Sequence, residues 1–262
     1  MSYSRRSWRE LWTGLTSAHI WLKLAWVDIV SRYRRTLLGP FWLVLSHAAT
    51  IVGLSLLYSH ILHQDTRTYL LYITCGLTIW TLIVIPFADG PNILVRSQNL
   101  ILAYDLPISL HIMRAVCGYL ITFLHNMVVF ICVLPFTDAH FNANSLLFLP
   151  ALAVIMVAVT GVSMIVSVLG ARYRDLGPAL IVVTSIAFLL TPIFWNKAQA
   201  LGINWITAIN PFFHFVEIAR AAMLGQPPNL TSWAAAIAIA AFTFVAGAVT
   251  VVGSRSNIAY WV

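Results

Sequence analysis

Apolar runs of about twenty residues without charge recur along this chain, separated by short stretches where charge collects. A helix needs ~20 apolar residues to cross the ~30 Å hydrocarbon core of a bilayer. By that measure residues 37–62, 69–89, 114–136, 146–170, 177–195 and 233–253 predict six transmembrane helices. Ahead of them, residues 7–30 carry Trp8, Leu11, Trp12, Leu15, Leu22 and Ala25 at helical spacing, with Arg9 and Lys23 supplying charge. That pattern predicts an amphipathic helix lying in the membrane interface. Residues 199–216 are uncharged but contain Asn204, Asn210, Pro211 and His214. Irregular backbone at membrane depth survives only where protein or water covers it. This stretch therefore predicts a re-entrant or interfacial segment. The expected fold class is an all-α integral membrane protein: six transmembrane helices, an N-terminal interfacial helix, and short re-entrant helices before the last span.

Composition agrees. Sixty per cent of the 262 residues are hydrophobic and 9% are charged, against about 25% charged in a typical soluble domain. The net charge of +7 raises the question of nucleic acid, and the position of the charges answers it. With six spans, twelve of the fifteen Lys and Arg residues fall on the side of the two termini. The positive-inside rule then places both termini in the cytoplasm and accounts for the charge without a nucleic-acid partner. Arg5-Arg6 faintly echoes a twin-arginine signal, but polar residues interrupt the smooth apolar core that such a signal needs, and the N-terminus is expected to be retained. Cys75, Cys117 and Cys132 all sit in apolar runs and are expected to be buried, reduced thiols.

Several common chemistries are missing. A Walker A loop needs Gly-Lys-Ser/Thr, and the two lysines, Lys23 and Lys197, come after Leu22 and Asn196. Any ATP-driven function needs a separate ATPase. No charge is expected in mid-span, and Asp89 at the end of the second span is the nearest carboxylate, so ion coupling is disfavoured. His47, His60 and His125 are the residues that keep it open. His60 and His63 have i, i+3 spacing but lack further ligands beyond Asp65, so no metal site is assigned. Asn229-Leu230-Thr231 matches a three-residue glycosylation sequon and carries no weight alone. Leu100, Ala103 and Tyr104 share one face of a short helix that Pro107 stops, a unit suited to docking a partner. Aromatic residues crowd the outer ends of the spans, and Phe212-Phe213-His214-Phe215 is their tightest group. An interfacial aromatic belt explains most of them; a lining for sugar faces is the sharper reading.

The densest feature is the basic threshold of the first span, Arg32-Tyr33-Arg34-Arg35-Thr36-Leu37-Leu38-Gly39-Pro40-Phe41-Trp42. It resembles the start of the first span in membrane subunits of polysaccharide-exporting ATP-binding-cassette transporters, the exporters of O antigen, capsular polysaccharide and teichoic acid. Residues 172–175 (Arg-Tyr-Arg-Asp) and 210–220, beginning Asn210-Pro211-Phe212, are similar to two further segments of that family. The resemblance covers essentially the whole chain. It implies a single transmembrane domain over 1–262, with residues 7–30 as a gate helix, 95–107 as a coupling helix and 199–225 as re-entrant helices. It implies a homodimer in the bacterial inner membrane with two copies of an ATPase subunit. ATP and Mg would lie on that partner, with no cofactor in this chain. The implied substrate is a lipid-linked polysaccharide, most simply O antigen or capsule. The head group would enter past Arg32, Tyr33, Arg34 and Arg35. The glycan would pass Tyr58, Phe194, Trp195, Phe212, Phe213 and Phe215. Leu100, Tyr104, Asp105, Pro107, Arg172 and Asp175 would meet the ATPase.

Three rivals remain open on the sequence: an exporter of a drug, lipid or haem; a membrane-embedded glycolipid-modifying enzyme using Asp89 or the His60/His63 pair; and a membrane anchor. The threshold itself has a bland alternative, since three arginines also serve as positive-inside anchors. Removing the charge of Arg32, Arg34 and Arg35 together is expected to reduce export more than membrane insertion. Surface glycan compared with the amount of membrane-inserted protein measures this, and equal loss of both would return the arginines to anchoring.

Overall fold

The computed structural model describes residues 2–34, 36–39, 41–104, 106–137, 141–195 and 204–262, with backbone alone at 2–6, 33, 204 and 206. Among these residues every regular element is helical. The interfacial region is two helices, α1 (Ser2–Thr16) and α2 (Ala18–Tyr33), where the sequence predicts one over 7–30. The break is chemical. The hydroxyls of Thr13, Thr16 and Ser17 each bond back to a carbonyl three or four residues earlier, and such local bonds compete with the helical ladder.

Five helical stretches are long and apolar enough to cross a membrane. The first is α3 (Phe41–Ile61). It begins four residues later than expected because Gly39 sits at φ +55° just ahead of it, a backbone conformation glycine tolerates best. The second is α4 (Thr66–Asp89), which runs on through a 3₁₀ turn at Gly90–Asn92 into α5 (Ile93–Arg96) and α6 (Gln98–Ala103). Asp65 caps α4 by accepting from the Thr68 N–H at 2.9 Å, and that bond holds its carboxyl below the usual carboxylate range. The third is α7 (Ile108–Val133), which starts six residues earlier than expected. The fourth is α8 (Phe148–Arg172) and the fifth α12 (Leu230–Trp261). Asn229 caps α12 by accepting from the Thr231 and Ser232 N–H groups, and the helix ends eight residues beyond the expected 253.

The sixth expected span is shorter. α9 (Leu176–Leu190) has 15 residues, about 22 Å at 1.5 Å per residue, against a ~30 Å core. Thr191 leaves the helix with extended backbone because it precedes Pro192, and a proline disfavours helical geometry in the residue before it. Two helices come next, α10 (Asn204–Ile209) and α11 (Pro211–Met223). α11 opens with proline in its first turn and with Asn210 accepting from the Phe212 N–H. Residues 199–203 of the expected re-entrant segment lie outside the described residues. The expected coupling helix over 95–107 is likewise divided: α5 and α6 meet at Ser97, Tyr104 is extended, and Pro107 instead caps α7.

Packing rests on small residues. A Cβ added to Gly161 of α8 would come within 2.4 Å of the Phe244 backbone nitrogen on α12. One added to Gly247 of α12 would come within 2.5 Å of the Gly161 carbonyl oxygen. Glycines here let two backbones touch, the usual device for helix pairs in lipid. A second close approach lies where α4 ends: a Cβ on Gly170 of α8 would come within 2.4 Å of the Pro91 backbone. Pro86 and Pro91 interrupt the ladder there and turn the chain onto α8. α3 and α9, in contrast, leave Leu56, Leu57, Val182, Val183 and Leu189 exposed. Cys75 and Cys117 are buried as expected, but Cys132 near the end of α7 is exposed, because it falls on the face of that helix turned from the bundle.

Gly161→Leu is expected to destabilise the protein by about 1–3 kcal/mol through overpacking against α12. Gly253→Ala, whose added carbon meets nothing within 4 Å, is expected to be near-neutral. Thermal unfolding of the detergent-solubilised protein compares the two.

Candidate functional site

At the end of the bundle where α2 lies, a cavity of about 400 Å³ opens between α2, α4, the α5–α6 segment and α7. Charged side chains from α2, α4, α5 and α7 line it. Asp28 of α2 accepts from Arg114 of α7 through both oxygens, with Arg114 Nε at 2.5 Å from Oδ2. Asp89 at the end of α4 pairs with Arg96 of α5 (Nη1 to Oδ1, 2.6 Å) and also accepts from the Tyr119 hydroxyl at 2.7 Å. This explains the early start of α7. Arg114 enters the helix because Asp28 neutralises it, and paired charges are what the membrane edge tolerates. Arg32, the last cation of α2, also lines the cavity. So does His111, which is 1% exposed and has no hydrogen-bond partner on either ring nitrogen.

About 30 Å away along α4, taking 1.5 Å per residue, Tyr69 and Tyr72 lie at the opposite end and hold the turn after α9. The Tyr69 hydroxyl donates to the Phe194 carbonyl. The Tyr72 hydroxyl donates to the Trp195 carbonyl at 3.1 Å. Arg220 of α11, 5% exposed, donates to the Pro192 carbonyl at 2.7 Å. Its guanidinium stacks 4.3 Å from the Tyr72 ring centroid and pairs with Glu217 at 3.3 Å. Arg220 is thus a buried charge within the segment expected to be re-entrant. An aromatic series crosses the same region: Tyr58 stacks on Phe194 at 5.1 Å, and Phe188 links Phe194 to Trp80, which meets Phe212 at 5.5 Å.

A profile of the ABC-2 type transporter family matches residues 21–224. The chain belongs to that family. The match runs from within α2 to just past α11 and includes every residue named above from Asp28 to Arg220. The ABC-2 subunit is therefore a multi-pass membrane protein and the transmembrane, permease component of an ABC transporter. No curated protein matches the chain in sequence.

The predicted site residues of this ABC-2 subunit fall in three places. Arg32 and Leu100 line the cavity. Arg34 does not; it is exposed at the C-cap of α2, its N–H on the Ser31 carbonyl. The Tyr33 side chain and all of Arg35 and Asp105 lie outside the described residues. Tyr104 is 62% exposed beyond α6, Pro107 caps α7, and Asp175 precedes α9 without a side-chain cap bond. Arg172 stacks on Tyr173 at 5.0 Å and Trp261 at 5.3 Å. Of the aromatics, Tyr58, Phe194 and Phe212 join the series described, and Trp195 donates from Nε1 to the Leu189 carbonyl at 3.4 Å. Phe213 and Phe215, at 2% and 5% exposure, pack inward in this structure. α11 is helical through this stretch, so consecutive rings point around its circumference instead of along one wall.

Sequence reasoning missed Asp28, His111, Arg114, Tyr119 and Arg220 as site residues. The available signal was the isolated charge: Asp28 and Arg114 are single opposite charges bordering apolar runs, and each asks for a partner. Arg220→Leu is expected to lower stability by about 1.5–3 kcal/mol, through lost charged hydrogen bonds, and to free the Pro192–Trp195 turn. Arg220→Lys keeps the charge but not the flat stack or the fork, so it restores only part. Unfolding midpoints, with maleimide labelling of Phe194→Cys as a measure of turn exposure, check both.

Proposed function

We propose that this ABC-2 subunit forms the channel of an ATP-driven exporter that moves a lipid-linked polysaccharide, O antigen or capsule, across the bacterial inner membrane. The observation that carries the reading is the cavity where Arg32, from the basic threshold, lies with Arg96 and Arg114 beside the apolar helices. A polyprenyl diphosphate presents phosphate oxygens and a hydrocarbon tail together. Guanidinium groups match such oxygens two at a time, while the tail stays in lipid against the exposed apolar face of α2. Arg32, Arg34 and Arg35 then receive the head group.

The motor is borrowed. The chain has no Walker lysine, and permeases of this family work with an ATP-binding subunit. In this reading two ATPase copies serve a homodimer of the chain, with both termini in the cytoplasm. The α5–α6 segment and the Arg172–Asp175 turn meet the ATPase. Leu100, Ser97 and Arg96 also line the cavity, so motion of that segment reaches the head-group site directly. The aromatic series from Tyr58 to Phe212 supplies stacking faces at the far end, where the sugar leaves. The apolar faces of α3 and α9 support a second copy packing there.

Co-purification of the chain with the ATPase of its own host, and then ATP hydrolysis in nanodiscs, tests this. Lipid-linked glycan is expected to stimulate hydrolysis several-fold over empty lipid. Absence of a co-purifying ATPase would overturn the reading.

A further inference from the structure

The cavity holds an arrangement that head-group entrance at the arginine threshold does not explain. Three guanidiniums line it, from Arg32, Arg96 and Arg114, against two carboxylates, Asp28 and Asp89. Arg96 is committed to Asp89, whose Oδ2 is also held by Tyr119. Arg32 makes no hydrogen bond or ion pair among the described residues. His111 is sealed from solvent with both ring nitrogens unpartnered, although a buried polar group without a partner is costly and native structures rarely keep one. A turn of the ring would bring one nitrogen to the cavity that His111 lines. The volume of about 400 Å³ admits a group far larger than one water molecule, whose share of liquid is ~30 Å³.

We infer that this cavity is a phosphate-binding site, seated on Arg114, Arg32 and His111, in which the ligand's phosphate takes the place of Asp28 on the Arg114 guanidinium. The donor types fit: two guanidinium forks and, once the His111 ring turns toward the cavity, an imidazole N–H suit one tetrahedral oxyanion. The exchange is also asymmetric. The Asp28 side chain is 40% exposed and can be taken up by water when it is displaced, whereas that of Asp89 is 28% exposed and stays held by two donors. Asp28 is thus the internal competitor, occupying the anion site when no ligand is present. Its pairing with Arg114 also joins α2 to α7, so a bound phosphate replaces that direct tie with one running through the ligand, from Arg114 and His111 of α7 to Arg32 of α2. The phosphate comes either from a lipid head group or from solution. Only the lipid-diphosphate source rests on the export reading above; the site itself does not.

Binding of three probes to the full-length protein in phosphatidylcholine nanodiscs tests the inference: a polyprenyl diphosphate, phosphatidylglycerol and inorganic diphosphate. Asp28→Asn removes the competitor at constant shape and is expected to tighten binding of whichever probe occupies the site by about tenfold. Arg114→Gln and His111→Leu are expected to weaken it by about tenfold each. A purely structural ion pair would give no gain in the Asp28 variant. Unchanged or weaker binding in folded Asp28→Asn protein overturns the inference. Binding indifferent to both Arg114→Gln and His111→Leu overturns it as well, since the anion would then sit on surface arginines. A site that takes phosphatidylglycerol or free diphosphate and rejects the polyprenyl compound keeps the inference while sinking lipid-linked cargo. Tight polyprenyl diphosphate binding with the same variant pattern supports both.

Discussion

Where a charged side chain is drawn partly out of water against packed helices, a partner of opposite sign offsets its lost hydration. Four arginine–carboxylate pairs among the described residues obey that constraint: Glu10 with Arg255, Asp28 with Arg114, Asp89 with Arg96, and Glu217 with Arg220. Two of them join helices far apart in the chain, α1 to α12 and α2 to α7. Such pairs are weak as net stabilisers, since desolvation offsets much of their attraction. Their use is registry. An interfacial helix that could slide along a greasy surface is fixed at one position by one guanidinium.

Small residues set the rest of the frame. Gly161 and Gly247 bring α8 and α12 into backbone contact, and Gly170 seats the Pro91 turn on α8. These contacts make a tightly packed centre from which α4 departs through its proline break. The α5–α6 segment beyond that break is short, and it sits between the cavity and the surface proposed for the ATPase. The polar cavity therefore lies where closely packed helices meet elements held by single polar contacts. The opposite end is held differently, by hydroxyl and guanidinium donors gathered on the carbonyls of one turn at Pro192–Trp195.

Most of the architecture was legible because the bilayer imposes a length. Runs near twenty apolar residues had no other economical reading, and the all-helical fold comes from them. The interfacial character of residues 7–30 was legible from Trp and Arg spacing, but its division at Ser17 turns on hydroxyl-to-carbonyl bonds that leave no mark on hydrophobic period. The α9 end was misplaced for a related reason. Phe194 and Trp195 look like span residues, while the Thr191-Pro192 geometry has already ended the helix. Phe213 and Phe215 look like a wall in the sequence and are core in the structure, because neighbouring positions on a helix point in different directions.

The sequence by itself determined the class of molecule: membrane-spanning helices, a basic threshold at Arg32–Arg35, and no nucleotide-binding loop. Each depends on composition within a short window, which local inspection reads directly. Only the tertiary structure decided the cavity. Asp28, Asp89 and Arg114 lie dozens of residues apart, and each looks like an ordinary loop or end charge in its own window. Their meeting depends on how α2 lies across α4 and α7. The same holds for His111, which reads as an ordinary histidine in sequence and becomes a buried donor without a partner only once α7 is packed. Pairing across space is a property of the packing, and no linear pattern carries it.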